Sequence, residues 1–193
     1  MQIGLLGGTF NPPHNGHIAL ARECLTHFDL DKIIFMPTAT SPHKNVECSV
    51  SGEVRLEMVR IAIEGEPKFE VSRYEIDKGG ISYSVETIKY LKKEYGSGTE
   101  IFFLTGRDSC GELSTWKEID RILDLVVFVI ATRPGWKKDE GEYDGRVRHF
   151  VMPEVDISSS MIRERLSNSK PIDAFVAPAV AEFIKARGLY KEA

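Results

Sequence analysis

Residues 7–17 read Gly-Gly-Thr-Phe-Asn-Pro-Pro-His-Asn-Gly-His. The adjacent glycines Gly7 and Gly8 let backbone approach a ligand closely. His14 and His17 stand three apart at the start of a helical pattern, so both imidazoles can point the same way. A helix start presents N–H groups and the positive end of its dipole, which suits phosphate, and two imidazoles there can donate to phosphate oxygens. Thr9, Phe10 and Gly16 complete the segment. It is neither a G-x-G-x-x-G fingerprint nor a loop ending in Gly-Lys-Ser/Thr, which argues against hydride transfer and P-loop chemistry. Two histidines with no Asp, Glu or Cys beside them do not make a zinc ligand set.

A second cluster lies near the other end, Ile157-Ser158-Ser159-Ser160-Met161-Ile162-Arg163. The three serines precede an apolar-periodic helix, so one is an N-cap. The same hydroxyls and N–H groups can hold phosphate, and Arg163 sits one turn in with a fork-shaped donor. If this cluster meets residues 7–17 in the fold, it can form the opposite wall of a triphosphate site. Further polar residues sit at the ends of apolar runs. Lys44 lies in Ser41-Pro42-His43-Lys44, and Gly106 and Asp108 lie in Thr105-Gly106-Arg107-Asp108-Ser109. Asp108 could cap a helix, accept from a ligand, or orient hydrated Mg²⁺. Trp116 fits a core aromatic, and Ser82-Tyr83-Ser84 fits a helix cap.

These residues need elements to position them. Residues 2–6, 32–36 and 69–72 read as strands, and 101–104 and 126–131 are continuous apolar runs of the kind buried on both faces. Residues 148–152 make a last short strand. Helical spacing covers 16–28, 53–63, 83–95 and about 112–123, then 160–166 and 178–187. Alternating strands and helices predict an α/β fold with a doubly wound, mostly parallel sheet and a small C-terminal helical part. One domain over residues 1–193 is expected, with helices from about 158–190 packed on it. The connection 38–52 is long enough to be functional, and 137–145 reads as a solvated loop.

Composition narrows the classes. Of 193 residues 42% are hydrophobic and 28% charged, which fits a globular chain and not a disordered one. Net charge is −4, from 25 basic and 29 acidic residues, so a nucleic-acid partner is not expected. No signal peptide or membrane span is read, and Cys24, Cys48 and Cys110 form no disulfide pattern. A cytoplasmic chain with reduced thiols is expected, and a homo-oligomer is compatible with the sequence.

Residues 7–17 resemble the T/H-x-G-H signature of the nucleotidyltransferase superfamily, and residues 157–163 resemble its I-S-S-T-x-I-R signature. The order of the middle segments resembles the bacterial nicotinate-nucleotide adenylyltransferase family, over essentially the whole chain. The resemblance implies a Rossmann-like fold and adenylyl transfer from ATP to nicotinate mononucleotide. Deamido-NAD and pyrophosphate would be the products, in NAD biosynthesis. It implies catalytic contacts from His14, His17, Lys44 and Arg163. ATP contacts would come from Gly7, Gly8, Thr9, Phe10, Gly16, Gly106, Asp108, Ser158, Ser159 and Ser160. It implies that Trp116 stacks on the pyridine, that Lys117 offers its N–H to the carboxylate, and that Ser82, Tyr83, Ser84 and Arg133 flank the acceptor. Mg²⁺ would be bound mainly through substrate phosphates, with no protein metal site. Ser41 stands where the family has Pro, and Asn11 where Asp is common. Alternatives are a sister adenylyltransferase for nicotinamide mononucleotide or phosphopantetheine, a nucleotide sensor without catalysis, and an RNA-binding module.

Overall fold

A computed structural model describes residues 1–42, 50–106, 113–132, 142–153 and 155–190. Its elements in chain order are β1 Gln2–Gly8, α1 Asn15–His27, β2 Lys32–Pro37, α2 Gly52–Ala62 and β3 Phe69–Val71. Then come α3 Tyr74–Lys78, α4 Ser84–Tyr95, β4 Glu100–Gly106, α5 Ile119–Leu125, β5 Val127–Thr132, β6 Val147–Val151, α6 Ser159–Ser167 and α7 Pro178–Ala186. The six strands form one sheet in the order β3-β2-β1-β4-β5-β6. Every pairing in it is parallel. Strand order reverses between β1 and β4, the place at which open α/β sheets bind ligands, beyond the C-terminal ends of the strands.

The apolar runs are buried on both faces by period-two alternation. Leu6, Ile33, Phe35, Phe102, Leu104 and Val129 face one layer with α1 residues Ile18, Ala21 and Cys24. Ile3, Leu5, Ile34, Ile101, Phe103, Phe128 and Ile130 face the other, with Val85, Ile88 and Leu91 of α4 and Ile122 of α5. A third cluster joins Met58 of α2 to Ile162 of α6 and Val180 and Ile184 of α7. That packing places the start of α6 beside the C-terminal end of β1. No helix among the described residues is long and apolar enough to cross a membrane.

Two expectations need correction. The helix expected at about 112–123 begins only at Ile119, and residues 113–115 form a 3₁₀ turn instead. Glu118, the residue before α5, has φ +54, a left-handed conformation that breaks any continuous helix there. The short helix α3 was not anticipated; five residues are too few to show a period. Cys24 is buried and its thiol is pushed up to about 12 by that burial and by Glu23, which makes it inert. Cys48 and Cys110 lie outside the described residues, as does most of 137–145.

Gly4 lies at the centre of β1, where the layers close tightly. A Cβ there would press on Ile33 Cδ1 well inside contact distance and stand 3.1 Å from both Leu104 Cδ1 and Leu30 Cδ1. Gly4→Val should therefore overpack this layer and destabilise the protein by about 1–3 kcal/mol. Urea unfolding measures this as a lower midpoint at unchanged slope; an unchanged midpoint contradicts the packing described.

Candidate active site

The loop from β1 to α1 is fixed from several directions. Phe10 is buried in a left-handed conformation, φ +49, uncommon for a bulky residue and costly by about 1–2 kcal/mol. Its ring meets Phe35 at 5.8 Å and supports His17 edge-on at 4.9 Å. Gly8 makes room for that ring, since a Cβ there would lie 3.2 Å from Phe10 Cζ. Phe10 therefore backs the histidine with its side chain. Gly7 is different: it is exposed, and a Cβ on it would touch nothing.

His14 caps α1 with its backbone extended, and its N–H donates to His17 Nδ1 at 3.1 Å. This is the back-reaching half of a capping box, made with an imidazole. Because Nδ1 accepts, the neutral His17 ring carries its proton on Nε2, where it can donate to an anion. The two rings stack at 3.6 Å. Gly16 lies against the His14 ring; a Cβ there would stand 3.0 Å from His14 Nδ1. His14 is buried, and burial lowers its pKa to about 4, so it is a neutral imidazole at pH 7. A neutral imidazole still has one N–H to donate to an anion.

The second cluster packs directly onto this loop. Ser158 caps α6 by accepting from Met161 N–H at 3.1 Å. Ser159 Oγ donates to Pro12 O at 2.8 Å. Arg163 donates to Asn11 O at 2.8 Å, and also to Ser160 Oγ at 3.0 Å. These bonds use two of the guanidinium's five N–H donors. Farther along the chain, Tyr190 donates to Asn11 Oδ1 at 2.6 Å, and Asn15 N–H donates to Phe175 O at 2.8 Å. Asn11, which stands where Asp is common, thus supplies a neutral acceptor to Tyr190.

The residues expected to flank an acceptor come from three segments, and two of them meet. Lys117 Nζ lies 4.0 Å from the centre of the Tyr83 ring and 3.1 Å from Glu86 Oε1, bridging to α4. Trp116 is half-buried, edge-on to Phe103 at 5.5 Å and to Phe128 at 5.7 Å. Trp116 and Lys117 were expected early in a helix, but both precede α5, so only α4 contributes a helix start here. Tyr83 caps α4, and Ser84 is its first residue. Ser82 is buried, and its Oγ accepts from Ala39 N–H at 3.0 Å. Gly106 ends β4, exposed and open around its Cα. Lys44, Asp108 and Arg133 lie outside the described residues. A groove of about 620 Å³ near Tyr74, Tyr90 and Tyr95 contains none of these side chains.

Two buried charged residues had escaped notice. Arg55 of α2 is 1% exposed. It donates to Thr9 O and Thr38 O, both at 2.7 Å, and to Ala39 O at 3.2 Å. It thereby joins the loop after β1 to the loop after β2. Glu75 of α3 is also buried and accepts from the Thr87 hydroxyl. The signal for Arg55 was available: it lies one turn before Val59 on the apolar side of its helix, a costly place for an unpaired charge. Among the described residues no cluster of three or more His, Cys, Asp or Glu side chains could hold a metal.

Fold and site together define a doubly wound α/β protein of nucleotidyltransferase type, whose segments 7–17 and 157–163 meet beside the switch point. A family model described as cytidylyltransferase-like matches residues 5–165. The chain is 44% identical to the probable nicotinate-nucleotide adenylyltransferase of Shouchella clausii, over 98% of this chain and 96% of that one. It is 37% identical to the nicotinate-nucleotide adenylyltransferase of Bacillus subtilis, over 98% of each. The nicotinic acid mononucleotide adenylyltransferase of Plasmodium falciparum, solved in complex with NaAD, has the same fold. Its TM-score is 0.79 at 20% identity, covering 98% of this chain and 97% of that one. The chain belongs to the cytidylyltransferase-like family of nucleotidyltransferases and, within it, to the nicotinate-nucleotide adenylyltransferases.

The buried His14 makes stability depend on pH. In the unfolded chain the ring takes a proton near its ordinary 6.5, but in the folded protein only near 4. Between those values the unfolded state binds more protons, so stability is full above about pH 6.5 and falls as pH falls toward 4. The loss is on the order of 3 kcal/mol. His14→Asn, which keeps a good N-cap, should flatten urea-unfolding stability between pH 7 and 4.5 relative to the unmodified protein. Parallel pH curves for the two proteins contradict a buried neutral His14.

Proposed function

We propose that the chain transfers the adenylyl group of ATP to nicotinate mononucleotide, releasing pyrophosphate and forming deamido-NAD. The observation that carries this is the contact between Arg163 and Ser159 of α6 and the Asn11–Pro12 backbone. It brings two phosphate-binding signatures, about 150 residues apart in sequence, to one loop. These contacts support a reading in which the C-terminal segment is part of the site and residues 1–193 are one nucleotidyltransferase domain.

A 5′-phosphate oxygen of the acceptor attacks the α-phosphorus of ATP in line. A new P–O bond forms, the α–β P–O bond breaks, and pyrophosphate carries away the electron pair. The attacking phosphate is already ionised at neutral pH, so no strong base is required. Rate enhancement then comes from alignment and from donors aimed at the growing negative charge. That work is assigned to His17 Nε2–H, Arg163 and the N–H groups at the start of α6, with a third side-chain contact from Lys44. Gly7 and Gly106 let phosphate and ribose lie close to backbone at the ends of β1 and β4. ATP enters as its Mg²⁺ complex. The guanidinium of Arg163 and the backbone N–H groups have no lone pair for a cation, which suits Mg²⁺ that would be carried mainly by the substrate phosphates.

On the acceptor side, Trp116 offers a ring face to the pyridine. The N–H groups at the start of α4 and at Lys117 offer donors to its carboxylate, with Tyr83, Ser84 and Arg133 flanking it. A carboxylate accepts only, and a helix start favours an anion. A carboxamide brings its own N–H groups against those donors, and each unpaired buried group costs about 1–3 kcal/mol.

The experiment for the assignment is pyrophosphate release with ATP and each of nicotinate mononucleotide, nicotinamide mononucleotide and phosphopantetheine. Nicotinate mononucleotide should be preferred over its amide by roughly tenfold or more in kcat/KM. Equal use of the two pyridine nucleotides contradicts an acid-selective pocket. Separately, His17→Ala should lower kcat by about a hundredfold or more, as loss of an oxyanion donor does, and should cost about 1–3 kcal/mol of unfolding stability from the lost capping bond, leaving the protein folded. Near-normal turnover in folded His17→Ala removes His17 from the reaction.

A further inference from the structure

Glu75 is a buried carboxyl that adenylyl transfer, as described, does not use. It sits on α3, beneath the segment that leads into α4. Its Oε1 accepts from the hydroxyl of Thr87, in the first turns of α4, and the Ser82 hydroxyl also stabilises it. Ser82 is tied twice to the chain after β2: its N–H donates to Thr40 O at 2.9 Å, and its Oγ accepts from Ala39 N–H at 3.0 Å. Arg55 then holds Thr38 O and Ala39 O on one side and Thr9 O on the other. A single chain of hydrogen bonds thus runs from Glu75 to the loop that is assigned to ATP.

Position along this chain separates the roles of its two ends. Arg55 donates to the ATP loop itself, whereas Glu75 is hydrogen-bonded to Ser82 and to Thr87 of α4. Ser82 and Thr87 bracket Tyr83 and Ser84, the residues whose N–H groups are assigned to the acceptor. Those N–H groups can reach a carboxylate only if the helix start keeps its place beside Trp116 and Lys117. A displacement of about 1 Å is enough to lower the productive fraction of bound ligand substantially.

We propose that Glu75 is a positioning residue for the acceptor, fixing the start of α4 through Ser82 and Thr87 so that its N–H groups face the pyridine carboxylate. The proposal rests on the acceptor assignment made above. It adds a selectivity device outside the pocket, buried one layer behind the residues that would touch substrate. Burial raises the carboxyl of Glu75 above the usual carboxylate range. Glutamine has the same shape and keeps an acceptor oxygen for the two hydroxyls, so Glu75→Gln preserves the hydrogen bonds on which the positioning rests.

The test uses the full chain and three variants, Glu75→Gln, Glu75→Leu and Thr87→Val. Acceptor is varied at saturating Mg-ATP, and ATP at saturating nicotinate mononucleotide. Glu75→Leu should raise the acceptor KM about tenfold or more while leaving the ATP KM within about twofold. Glu75→Gln should stay within about threefold of the unmodified protein in both, and Thr87→Val should raise the acceptor KM about threefold. The proposal is overturned if Glu75→Leu raises both KM values together, lowers kcat alone, or behaves like Glu75→Gln. Should Glu75→Leu fail to fold, Thr87→Val decides: it removes one hydroxyl and keeps the shape, and an unchanged acceptor KM overturns the proposal. If the unmodified protein releases no pyrophosphate with nicotinate mononucleotide, the acceptor assignment itself has failed and the role of Glu75 fails with it. Normal turnover with no acceptor-specific effect overturns the role of Glu75 alone.

Discussion

The loop between β1 and α1 has little means of holding its own shape, and the rest of the site depends on what holds it. It contains two prolines and a left-handed Phe10, with glycines only in the strand and helix that flank it, and its backbone oxygens at Thr9, Asn11 and Pro12 point at other parts of the chain. Those oxygens are taken by Arg55, Arg163 and Ser159. Hydrogen bonds from charged donors contribute about 1.5–3 kcal/mol each, so two guanidinium groups can offset the strain at Phe10. His17 then stands against the Phe10 ring and receives the His14 N–H, which sets its tautomer. The side chain assigned to the growing charge is thus aimed by contacts that arise far away in sequence.

This arrangement explains why the C-terminal helices belong to the site. Helices α6 and α7 have their own apolar contact, through Ile162, Val180 and Ile184, with Met58 of α2. That packing sets where Arg163 and Ser159 can reach. Helix α2 also carries Arg55, so one helix supports both ends of the clamp. The sheet contributes the location: its strand order changes direction between β1 and β4, the point at which open α/β sheets bind ligands.

Much of this was legible in the sequence because burial on both faces leaves a plain record. Residues 101–104 and 126–131 are apolar without a break, and both are central strands. The two signatures were legible because glycine, histidine and serine clusters at strand ends have few other uses. What each serine does was not legible: cap, tie and guanidinium support fall to Ser158, Ser159 and Ser160 only because the first loop is there to be met. The false helix at 112–123 has a physical cause as well. Leu113 and Trp116 are three apart, which suits a 3₁₀ turn as well as an α-helix, and no Gly or Pro marks the left-handed Glu118. Arg55 and Glu75 act through partners distant in sequence, which spacing along one helix does not reveal.

The central claim is that the clamp between α6 and the first loop is also the ATP site. Calorimetric titration of a non-hydrolysable ATP analogue, as its Mg²⁺ complex, into the unmodified protein and Arg163→Ala tests it directly. The account predicts a loss of affinity of about tenfold or more for Arg163→Ala, from the loss of a charge-assisted donor to phosphate, with nicotinate mononucleotide affinity changed far less. Undiminished affinity for the ATP analogue in a folded Arg163→Ala protein would contradict it.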